Sequence, residues 1–275
     1  MITALLAVLC FGISDALWKP SIKIHGHYKL LLHRTILTSI ILLLYFLVTN
    51  TNELENMSMF LMAILSGAIS GMGLYFLTRA FILESTSTVL FLNIFTLVFS
   101  QLSAMILFDE KVQLGSYTIQ IGLCMITVCF LNNLKIKLNK GLTYGILASL
   151  CFGIAYPLAG IPIKVIGYQA TILSQELTIL IFLIGYGWFQ KKLKIDFKSY
   201  KDPKLILLSL LATSAIILFF YSYNKLEIYK VNLISSFHPV GGMLISIFLF
   251  REQPTKYQFI GVTISFLTTL LIYLH

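Results

Sequence analysis

Four side chains carry charge or acid–base chemistry inside stretches that are otherwise apolar: Asp15, Arg34, Glu176 and His238. An ionisable group at the centre of a membrane helix costs about 2.5–3.5 kcal/mol on insertion scales, so it is kept where it has a partner or a purpose. Asp15 and Arg34 sit at similar depth in consecutive apolar runs and can meet near one interface, either as a structural ion pair or as a gate. Glu176 follows Gln175, and no base accompanies it within its own run. As an unpaired carboxylate it would suit a proton carrier or the counter-charge of a cationic substrate; the other reading is a neutral acid bonded to another helix. His238 directly precedes Pro239, whose ring removes one backbone hydrogen bond and frees the carbonyl of Ser235, so a helix kink is expected there. The imidazole either titrates in the range of about pH 5–8 or donates to a freed carbonyl. Tyr75, Asn93, Tyr156 and Gln175 rank below these as candidate lining of the same site.

The elements that position these groups follow from composition. With 58% hydrophobic and 11% charged residues among 275, and a mean hydropathy of +0.89, a soluble globule would have too little polar surface. The chain therefore belongs in a bilayer as a multi-pass protein. Continuous apolar runs without period-two alternation exclude a barrel, and only helices otherwise satisfy their backbone hydrogen bonds in hydrocarbon. About 20 apolar residues cross a core of about 30 Å. On that measure spans are expected at about 2–18, 30–48, 58–79, 87–108 and 116–131, then at about 141–159, 170–189, 204–223, 231–250 and 257–273.

The second set repeats the first. Leu6 to Ile13 returns as Leu147 to Ile154 with seven of eight residues identical, and the same offset carries Lys23 onto Lys164 and Gly26 onto Gly167. The expected organisation is an all-α integral membrane protein of ten transmembrane helices, residues 1–135 forming one five-helix repeat and 136–275 the second. An odd number of spans per repeat makes the two copies inverted. The first run aligns with an internal span and lacks a basic leader, so it is expected to remain in the mature protein. The offset replaces Asp15 by Tyr156 and Arg34 by Gln175, so the charged pair is not duplicated.

Sixteen of the twenty Lys and Arg fall in or beside the odd-numbered loops, and four in the even loops and termini. Cytoplasmic loops beside anionic lipid account for the net charge of +9, and the positive-inside rule then puts both termini outside. The bases form no folded face with stacking aromatics, so no nucleic-acid partner is expected. Cys10, Cys124, Cys129 and Cys151 lie in apolar spans without metal-ligand spacing and are read as packing residues, with no metal or cofactor expected. Gly67 and Gly71 form a GxxxG pattern for close helix approach, and Trp18, Tyr28, Tyr45, Trp188, Tyr257 and Tyr273 stand near span ends as interfacial anchors. The chain has no GxxxxGK[ST], HExxH or GxSxG, so neither ATP-driven work nor a catalytic residue is expected.

Two fivefold helical units with a Gly in the middle of spans one and six resemble the ten-span EamA-like branch of the drug/metabolite transporter (DMT) superfamily. The closest likeness is Pro239, Glu252 thirteen residues on and Gly261 nine further; in the first half Glu110 matches, but Leu97 replaces the Pro and Gly122 follows Glu110 by twelve. Phe11-Gly12 and Phe152-Gly153 stand where the family often has Trp-Gly, and members usually place both termini in the cytoplasm, opposite to the base count here. The resemblance implies a secondary transporter that exports small metabolites or amphipathic compounds from a midplane cavity between the repeats, in a bacterial inner membrane. A lipid-carrier flippase subunit and a non-transport scaffold are the alternative readings. The sequence leaves the oligomeric state open.

Overall fold

The computed structural model describes residues 2–49, 56–108, 121–122, 125–130, 139–226 and 237–251, with 231, 234, 253, 255–257, 259–261, 263–264 and 267. Among these residues there is no strand, and the helices run in the order α1 (Ile2–His25), α2 (His27–Thr49), α3 (Met57–Leu83), α4 (Thr86–Leu92), α5 (Ile94–Phe108), α6 (Lys140–Phe189), α7 (Pro203–Tyr223) and α8 (His238–Phe250). Six helical stretches are long and apolar enough to cross a membrane, α4 and α5 counting together as one. The expected runs at 116–131 and 257–273 lie partly outside the described residues, and Glu110, Cys124, Glu252 and Tyr273 lie wholly outside them.

Local chemistry starts these helices where polar side chains can accept from free backbone donors. Asn56 accepts from the Met59 N–H, Ser85 from Thr88 and Asn139 from Leu142, while Asp202 accepts from Lys204 with Pro203 in the first turn of α7. At 50 residues, α6 would measure about 75 Å if straight, far beyond a hydrocarbon core. Gly167 bends it instead, with φ 84° and ψ 158°, and the expected spans 141–159 and 170–189 fall on the two arms. Gly26, its counterpart in the first half, has φ 76° and separates α1 from α2.

Polarity runs inside out. Thr38, Ser66, Thr78, Ser149 and Thr213 are buried, whereas Val48, Ile106, Ile181 and Phe248 face outward, as they do against lipid. Small residues bring the helices together: an added Cβ on Gly67 would lie 2.8 Å from the Gln175 Cα, so the GxxxG face of α3 seats on the second arm of α6. Two expected anchors are instead interior. Trp18 is 3% exposed and Tyr28 7%, because α1 and α2 continue past the expected span ends and carry both rings into the bundle. Trp188 is exposed. Cys151 is buried and Cys10 half-buried, but Cys129 faces outward rather than packing.

Polar contacts sort the loops by face. Lys19 donates to the Glu84 carbonyl at 2.7 Å, Lys29 meets Asp196 at 2.6 Å and His25 meets Asp202 at 2.6 Å, which gathers the odd-numbered loops. On the opposite face Gln169 donates to the Thr49 carbonyl at 3.4 Å, and the Tyr45 and Tyr168 hydroxyls bond at 2.6 Å.

Candidate functional site

A cavity with about 980 Å³ of empty space, its open mouth included, lies among α1, α2, α3, the α4–α5 junction, both arms of α6 and α7. Its polar lining is Ser14, Asp15, Arg34, Ser70, Asn93, Thr96, Gln175 and Glu176, set against the rings of Phe11, Trp18, Phe152, Tyr156, Phe219 and Phe220. Residues of both halves of the chain therefore share one chamber.

Its charged centre is an ion pair in which Arg34 Nη1 on α2 donates to Glu176 Oε1 on α6. Both side chains are 4% exposed. The expectation of an unpaired Glu176 is thus corrected: its partner stands far off in sequence, on a helix that within-span spacing cannot see. Arg34, expected to meet Asp15, spends this donor on Glu176, and Asp15 lines the same cavity. Beside the pair, Gln175 donates from Nε2 to the Ser66 hydroxyl at 2.5 Å, and Ser66 donates to the Ala155 carbonyl at 2.7 Å. Tyr156 stacks on Phe152 at 5.6 Å and meets Phe219 edge-on at 5.2 Å.

The repeated Phe-Gly has a physical reason. Phe11 and Phe152 wall the cavity, while the glycine after each allows a neighbouring backbone close. An added Cβ on Gly153 would come within 3.0 Å of the Thr96 carbonyl oxygen and the Ser100 nitrogen on α5, and one on Gly242 of α8 within 3.1 Å of the Gly12 carbonyl oxygen.

Asn93 interrupts the fourth span: its N–H bonds to the Leu90 carbonyl at 3.1 Å and its carbonyl accepts from Thr96 at 2.9 Å, a tight turn between α4 and α5. About one repeat later Phe237 bonds to the Ile234 carbonyl at 3.2 Å and α8 begins at His238. The break falls where the kink is expected: Val231 and Ile234 are helical, Phe237 forms a turn, and the helix resumes at His238. Pro239 occupies the first turn, where its missing N–H costs nothing. The side chains of His238 and Pro239, and residue Ser235, lie outside the described part of the structure. Tyr75 does not line the cavity; it stands nearer the odd-loop face with Arg79, His27 and Tyr186.

Residues 139–274 match the model of the EamA-like transporter family. Through this half the chain belongs to that family. It is accordingly a multi-pass membrane transporter of the DMT type, a family of transporters and not of enzymes. The match contains Glu176, Gln175, Tyr156 and the aromatic wall of α7. No curated protein sequence matches the chain. Among solved structures, one described as "Crystal structure of protein" is similar with a TM-score of 0.73 at 12% identity, over 99% of this chain and 96% of that one, which extends the likeness of fold to both halves. Among the described residues of this EamA-like protein, no three His, Cys, Asp or Glu gather as a metal site.

Sequence reasoning missed Trp18, Ser14, Ser70, Phe219 and Phe220 as lining. Phe11 and Phe152 did carry a signal, since they recur in the repeated motif. Ser14 and Ser70 carried the weak signal of a polar group in an apolar run, while Trp18, Phe219 and Phe220 have none, because which face of an all-apolar helix turns inward is decided by packing and not by an amphipathic pattern.

Proposed function

We propose that this EamA-like protein is a secondary transporter, working as an exporter of small metabolites or amphipathic compounds in a bacterial inner membrane. Two inverted five-helix repeats, residues 1–135 and 136–275, give ten spans that rock about a midplane cavity. The observation that carries this reading is the buried Arg34–Glu176 pair, which joins the first half to the second inside the one chamber both line. A charge kept that deep is costly, and a site that must bind, release and reset has a use for a pair that can open. Support for the inverted arrangement comes from Gly26 and Gly167, positive-φ turns at equivalent positions of the two halves and on opposite loop faces, and from the helix interruptions at Asn93 and before His238. Asp15, Glu176 and His238 are the groups proposed for charge recognition or coupling; Asn93, Tyr156 and Gln175 form the wall, and Tyr75 guards the odd-loop approach.

Purified protein is screened by thermal shift against amino acids, nucleosides, sugars, cationic amphiphiles and lipid headgroups, and each hit is carried into counterflow in proteoliposomes. A ligand at 100 times its Kd stabilises by about 2.7 kcal/mol. Glu176→Gln is expected to lose both the shift and the counterflow. A variant that retains both removes Glu176 from the site, and silence across the panel transfers the reading to a lipid-linked substrate.

A further inference from the structure

One group of basic side chains serves neither the cavity nor a loop ion pair. His27 opens α2, Arg79 lies one turn from the end of α3, and Lys192 follows α6, all toward the odd-loop face. Arg79 and Lys192 act electrostatically on both His27 and Tyr75. Arg79 Nη2 donates to the Tyr75 hydroxyl at 3.3 Å, and its guanidinium stands 5.5 Å from the centre of that ring. Tyr186 and His27 close the group, with ring centres 5.6 and 6.4 Å from Tyr75. Among the described residues no carboxylate forms an ion pair with Arg79, Lys192 or His27. Arg79 Nε is buried without a hydrogen-bond partner. The guanidinium is half-buried and keeps one donor empty, where an anion could accept from it.

The opposite face shows what this place needs for packing alone. Tyr168 and Tyr186 are the repeat equivalents of His27 and Tyr45, and Tyr221 adjoins Phe220, the equivalent of Arg79. There the Tyr45 and Tyr168 hydroxyls satisfy each other at 2.6 Å, the Tyr168 and Tyr221 rings meet at 5.5 Å, and Lys225 lies 5.9 Å over Tyr221. Tyr168 and Phe220 fill the equivalent positions in the second half, so the imidazole and guanidinium are not a demand of helix packing.

We propose that Arg79, Lys192 and His27 form an anion site for a phosphate group at the odd-loop mouth of the bundle. Arg79 stands with the His27 imidazole and the Tyr75 and Tyr186 rings around it, and Lys192 adds positive potential to the same group, which suits an anion with several acceptor oxygens such as phosphate. The headgroup of an anionic lipid and a soluble phosphate present the same chemistry here. The site stands on binding alone and does not depend on the transport reading.

The test is the melting temperature of the purified full chain in an uncharged detergent at pH 7. One arm compares inorganic phosphate with chloride at equal ionic strength, and the other compares phosphatidylglycerol with phosphatidylcholine in mixed micelles. The wild-type protein is expected to be stabilised by at least one probe. Arg79→Gln and Lys192→Gln should each raise the half-saturating concentration at least about tenfold. Lys198→Gln, at an exposed lysine of the same loop, should leave it unchanged. Lys192 is exposed, so its variant folds even where Arg79→Gln does not. A response to inorganic phosphate identifies a soluble ligand, and a response to phosphatidylglycerol alone identifies the headgroup. No response to either probe, or an equal loss in Lys198→Gln, overturns the proposal.

Discussion

Lys29 and Arg34, both on α2, each reach an acid in the second half of the chain, yet the two ion pairs do different work. Lys29 meets Asp196 at the odd-loop face, where the side chains are 34% and 40% exposed. Arg34 meets Glu176 in the cavity with both at 4%. Water and salt screen the first pair, so it fastens a loop and contributes little to stability. The second has lost its water, and each charge now depends on the other. The same chemistry is a screened tether at one depth and a desolvated, mutually dependent pair at the other.

Breaking the buried pair gives the largest expected effect. Glu176→Leu or Arg34→Met alone should cost about 3–5 kcal/mol by leaving one charge unmatched, and the double variant should recover most of that loss while failing to respond to ligand. Unfolding midpoints in a denaturant titration read all three; a double variant as unstable as the singles would mean that the pair is not a closed unit. Lys29→Gln with Asp196→Asn should leave the midpoint close to wild type.

Packing around Glu176 supplies the next test. Gly67→Val should cost about 1–3 kcal/mol, since its Cβ would press on the Gln175 backbone at 2.8 Å and displace the arm that holds Glu176. Gly185→Ala, with nothing within 4 Å of the added carbon, should be near neutral in the same titration.

The smallest effect belongs to the exposed tethers. The hydrogen bond from Lys29, then that from the Lys198 N–H, holds the Asp196 carboxyl below its ordinary range. Burial pushes Asp202 upward, but hydrogen bonds from His25 and the Lys204 N–H outweigh it and leave Asp202 lowered as well. For depressed acids the stabilisation is complete above the unfolded pKa and disappears as pH falls through the folded one. Amide exchange in 196–202, corrected for intrinsic rate, should therefore accelerate only as pH drops below the usual carboxylate range, while the α2–α6 contact stays protected. Loss of protection already near neutral pH would show that these acids do not hold the loop.

Membrane residence and long apolar helices were legible in the sequence, because both depend on composition and on run length along one chain. Asp15, Asn93, Tyr156, Gln175 and Glu176 were legible as cavity residues for a related reason: a polar group in an apolar run has few places to go. Who pairs with whom was not. Glu176 finds Arg34, not solitude, because the rotation and depth of α2 against α6 bring the two together, and those are set by packing between helices far apart in sequence. The interruption at Asn93 has no proline to announce it, and Trp18 turns inward although its type and position suit the interface. Helix–helix packing decided each of these, since on a helix apolar all round the sequence carries no mark of which side faces protein and which faces lipid.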